Sequence, residues 1–64
     1  MKIEEIINMY GGRSDYMDMN SGNIFCISNA IYDIKNKKTI IPVKDYEGKE
    51  IGFTEIKGKI EDYV

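Results

Sequence analysis

The sequence predicts an α+β fold, with one short N-terminal helix packed on a three- to four-stranded antiparallel β-meander. Three observations predict it. Residues 3–10 carry apolar side chains at a helical period. From Asn23 onward, runs of β-branched and aromatic residues alternate with short polar turns. And 64 residues suffice for a single domain only, so the helix has nothing but the sheet to dock on. The expected layout is one domain over 1–64, with the helix at about 2–10, a loop at 11–23 and the meander at 24–64.

The helix rests on Ile3, Ile6, Ile7 and Tyr10, whose spacing makes one apolar stripe. Glu4 and Glu5 fall in the first turn, where carboxylates favour the positive end of the helix dipole. Gly11-Gly12 supplies the stop, because glycine takes the left-handed C′ conformation without steric penalty. The stretch Arg13 to Asn23 is rich in Ser, Asn, Asp and Gly and reads as a loop, although it also holds Tyr16, Met17 and Met19.

Ile24-Phe25-Cys26-Ile27 opens the β region, Ser28-Asn29 marks a bulge or bend, and 30–34 resumes the strand. A helix over 29–36 is the competing reading. Ile31, Tyr32 and Ile34 weigh against it, as does the hairpin that 30–34 makes with 39–44 across Lys35-Asn36-Lys37-Lys38. Pro42 lacks an amide donor, which places its strand at a sheet edge or at a bulge. Tyr46-Glu47-Gly48-Lys49 is the second turn, and 50–56 is the next strand, with Ile51 and Phe53 on one face. Residues 57–64 read equally as a last strand or a helical turn.

Composition narrows the function. There is no histidine, hence no side chain that titrates near neutrality unperturbed and none of the commonest metal ligand. Cys26 is the one cysteine, which rules out an intramolecular disulfide and a paired-cysteine zinc site; it reads as a small buried hydrophobe. Starting at Asp18, the loop departs from the EF-hand pattern at positions 5, 6 and 12, so Asp15, Asp18 and Asn20 read as turn residues rather than calcium ligands. No apolar run approaches the roughly 18 residues of a membrane helix, and the N-terminus does not read as a secretory signal, so a cytoplasmic protein that uses no membrane is expected. The net charge of −2 is weak for a nucleic-acid binder.

The segment Ala30-Ile31-Tyr32-Asp33-Ile34 resembles the ALYDY stretch of SH3 domains. The likeness covers five residues and implies a small SH3-like β-barrel as the alternative shape. Polyproline recognition does not carry over, because the chain has no tryptophan to form the peptide groove.

A core this small leaves little stability for strained catalytic geometry, and the expectation is a protein that is not an enzyme and uses no cofactor or metal. Five tyrosines and four methionines exceed what so small a core holds, and these residue types favour interfaces. The expected role is therefore a protein-interaction module. It would be a small inhibitor or adaptor of the phage or mobile-element kind, binding a larger protein or a second copy of itself. The expected contacts are Tyr10, Arg13, Tyr16, Met17 and Met19. The alternative is a nucleic-acid accessory protein that uses the lysine tip Lys35, Lys37 and Lys38.

Overall fold

The computed structural model describes residues 3–11 and 14–63. In chain order its elements are helix α1 (Ile3–Tyr10), strands β1 (Tyr16–Met17) and β2 (Ile24–Phe25), and a 3-10 turn (Ile27–Asn29). Strands β3 (Ile31–Asp33), β4 (Lys38–Lys44) and β5 (Glu50–Lys57) follow, then a second 3-10 turn (Ile60–Asp62). The helix ends as its sequence predicts. Gly11 adopts φ 81°, and its amide donates to the Ile7 carbonyl at 2.9 Å. Lys2, the expected first helical residue, lies outside the described residues.

The sheet is antiparallel and has five strands, more than the three or four expected. The additional one is β1, inside the stretch read as loop 11–23, where Tyr16 pairs with Phe25 and Met17 with Ile24. The order is β1-β2-β4-β3, with β5 on the other edge of β4, and the sheet does not close into the SH3-like barrel.

Strands β2 and β3 are two pieces of one interrupted strand. Both pair with the same edge of β4, Phe25 opposite Val43 and Ile31 opposite Ile40. Residues 26–30 must therefore stand opposite only 41–42, and the excess is taken up in the 3-10 turn. The bend expected at Ser28-Asn29 is this turn, and the strand reading of 31–33 holds against the helical one.

That interruption also explains Pro42, which sits in the middle strand and not at an edge. Its carbonyl accepts from the Cys26 amide at 2.8 Å, on the side facing the gap between β2 and β3. The N and C=O of one residue in an extended strand share a side, so the missing donor of Pro42 falls where no ladder partner stands.

Burial along β4 alternates strictly: Thr39, Ile41 and Val43 are buried, and the residues between them are half-buried. The inward set meets α1 in a core of Ile6, Ile7, Ile27, Ile41 and Ile56. Half-buried Ile3, Tyr16, Phe25, Ala30, Ile60 and Tyr63 pack around it. Thr39 is buried with its hydroxyl donating to the Gly58 carbonyl at 2.7 Å, so its polar atom is satisfied. In β5 the core-facing residue is Ile56, whereas Ile51 and Phe53, expected as an apolar pair on one face, are both exposed. The ladder slips at Ile51, since Gly52 pairs with Val43 but Glu50 with Lys44. The tail is a helical turn: the Lys59 amide donates to Asp62 Oδ2, and the Tyr63 hydroxyl donates to the Lys57 carbonyl.

Ile41 is fully buried, so Ile41→Ala is expected to cost about 3 kcal/mol. Ile34→Ala, at a site 80% exposed, is expected to cost less than about 0.5 kcal/mol. Urea unfolding of the two variants checks the contrast.

Candidate functional site

The residues of β4 that point away from α1 are Lys38, Ile40, Pro42 and Lys44, and the register shows what stands beside each. Met17, Ile24 and Lys44 form one row across β1, β2 and β4, with Glu50 beyond Lys44. Pro42 lies opposite Phe53. Ile31, Ile40 and Glu55 form the next row, and Asp33, Lys38 and Lys57 the last. Opposed residues in an antiparallel pair share a face, so all of these lie on the outer face of the sheet.

The middle of this face is apolar and the ends are charged. Phe53 is 64% exposed, Ile31 67% and Met17 47%, with Ile24, Ile40 and Pro42 half-buried beside them. No described element packs over this band, because α1 lies on the other face. Contiguous apolar surface rimmed by charge is the usual mark of a contact surface.

The apolar surface continues at one end of the sheet, where the 18–23 and 45–49 loops meet. Gly22 lies against Tyr46, close enough that an added Cβ would stand 3.6 Å from that of Tyr46. Met19 and Tyr46 are both highly exposed on these loops. Loop 18–23 is closed by Asp18, whose Oδ1 accepts from the Asn20 amide at 3.0 Å and Oδ2 from the Ser21 hydroxyl at 3.1 Å. Loop 45–49 is closed by Asp45, whose Oδ1 accepts from the Glu47 and Lys49 amides, and Gly48 completes it at φ 89°.

The other aspartates do the same work. Asp15 accepts from the Ser28 amide and, at 2.7 Å, from its hydroxyl, tying the approach to β1 onto the first 3-10 turn. Asp33 accepts from the Lys35 and Asn36 amides and from Asn36 Nδ2. The Asn36 side chain, followed by the backbone donors, holds the Asp33 carboxyl below its ordinary range. The Asp15 and Asp18 carboxylates are thus engaged in separate turns. Among the described residues no group of three or more His, Cys, Asp or Glu side chains is placed to hold a metal ion.

The lysine tip is partly neutralised. Lys38 Nζ lies 2.9 Å from Glu55 Oε2, a contact that raises the lysine pKa, whereas Lys35 and Lys37 are exposed in the turn. Lys59 Nζ lies over the Tyr32 ring at 5.2 Å from its centroid, beside a shallow cleft of about 290 Å³.

The five expected contact residues do not fall on one described surface. Met17 is on the outer face, and Met19 is on the end loop. Tyr16 points to the core side, stacked on Phe25 with ring centroids 6.4 Å apart. The Tyr10 side chain and Arg13 lie outside the described residues. Sequence reasoning missed Ile24, Ile31, Ile40, Pro42 and Phe53. A signal was there: in 38–44 apolar residues occupy both parities, the pattern of a strand that needs cover on both faces.

No protein-family model, curated protein or solved structure matches the chain. Among the described residues no helix is long and apolar enough to cross a membrane.

Because the folded carboxyl of Asp33 titrates below its ordinary value, its contribution to stability is complete above about pH 4 and is lost as pH falls through the depressed value. Asp33→Ala is expected to lower the thermal midpoint at neutral pH and to shrink the further drop on acidification to about pH 2. Equal acid-induced drops in both proteins would refute the assignment.

Proposed function

We propose that this chain is a non-enzymatic protein-interaction module of the cytoplasm, acting as a small inhibitor or adaptor through surface contact. The observation that supports the reading is the location of its large apolar side chains. Phe53, Ile31 and Met17 lie on an outer sheet face that no described element covers, and Met19 and Tyr46 lie on the two loops at one end. Exposed aromatic and thioether groups of this size give large contact area with adaptable geometry. The buried free thiol of Cys26 suits a reducing compartment.

A photoreactive benzophenone side chain placed at Met19, at Phe53 or, as control, at exposed Glu61 on the second 3-10 turn tests the reading in cells that express the chain natively. Discrete protein adducts are expected from position 19 or 53 and not from 61, and excess unlabelled protein should compete them away. Absence of adducts from both 19 and 53 would overturn it.

A further inference from the structure

We propose that the outer sheet face is covered by a second copy of this chain, sheet against sheet, in a four-layer helix–sheet–sheet–helix dimer. The proposal rests on the contact-surface reading above and names the occupant of the sheet face; the loops at the end of the sheet stay free for another protein.

Charge is the first support. The outer face carries Lys38, Lys44 and Lys57 against Asp33, Glu50 and Glu55, so it is neutral, and each end of the apolar band holds both signs. A face of one sign would repel its own copy. This one meets its twin without net repulsion, and in a two-fold arrangement every lysine approaches a face that also offers carboxylates.

Size and shape are the second. The Cα atoms span 31 × 23 × 16 Å, so the molecule is a slab, and the outer face is one of its broad sides. That side is of the order of the roughly 800 Å² each partner contributes to a stable interface. The face is a sheet surface, and another sheet packs on such a surface at about 10 Å. A second copy has the same outline, so it covers Phe53, Pro42, Ile31, Ile40, Met17 and Ile24 at once. It would also give a 64-residue chain a second apolar layer, which its core of five isoleucines lacks.

Sedimentation equilibrium of the full chain, from about 1 μM to 1 mM, tests this. The expected mass is twice the 7.4 kDa of the monomer. Phe53→Ser and Ile31→Ser should each weaken dimerisation at least tenfold, and Met9→Ser, at an exposed position of α1, should leave it unchanged. Circular dichroism checks that each variant folds; if Phe53→Ser does not, Ile31→Ser on β3 carries the test. A dimer indifferent to Ile31→Ser would place the contact away from the outer sheet face and overturn the proposal, as would a monomer throughout the range. A monomer whose position 53 still forms adducts with a different protein would overturn the second copy as occupant and leave the interaction-module reading standing. Loss of both would remove both.

Discussion

The alternation of side chains along β4 governs the rest of this molecule. This strand hydrogen-bonds to β2 and β3 on one edge and to β5 on the other, so its two faces define the two faces of the whole sheet. Thr39, Ile41 and Val43 face α1, and Lys38, Ile40, Pro42 and Lys44 face away. A helix of eight residues is about 12 Å long and covers one face only. With no second helix among the described residues, an apolar outer band follows directly from a central strand that is apolar on both sides.

The connections follow from a different economy. The five aspartates of the chain all accept hydrogen bonds from backbone amides or a neighbouring side chain at a turn or loop. Short loops closed this way need few residues, and they let a 64-residue chain form five strands and still dock a helix. The same use explains why Asp15 and Asp18, close in sequence, serve different parts of the fold. One reaches Ser28 in the first 3-10 turn, and the other closes its own loop. Pro42 belongs to this local logic too. A proline in a middle strand normally breaks a ladder, but here the excess residues 26–30 have already broken it at that point.

An interaction module with its apolar surface on a sheet face differs from one whose contacts sit on a flexible loop. The sheet presents Phe53, Ile31 and Met17 from three separate strands held by main-chain hydrogen bonds, so little ordering entropy is lost on contact. Lys38 and Glu55, paired across β4 and β5, sit at the margin of the band, where such exposed pairs set orientation more than affinity.

The sequence alone determined the helix and its stop at Gly11, the strands 31–33, 38–44 and 50–57 to within a residue or so, both hairpin turns, the turn role of Asp15 and Asp18 and the burial of Cys26. These depend on local periodicity, on glycine's access to positive φ and on short side-chain-to-backbone bonds, all of which act within a few residues. Long-range packing set the rest: Tyr16-Met17 pairs as a strand, β2 and β3 share one edge of β4, Pro42 is central, and Phe53 faces out while Tyr16 faces in. The first three depend on which segments distant in sequence pair, and the last on which of two sheet faces meets the helix. That choice is made by register across strands distant in sequence, where a shift of one residue exchanges the faces.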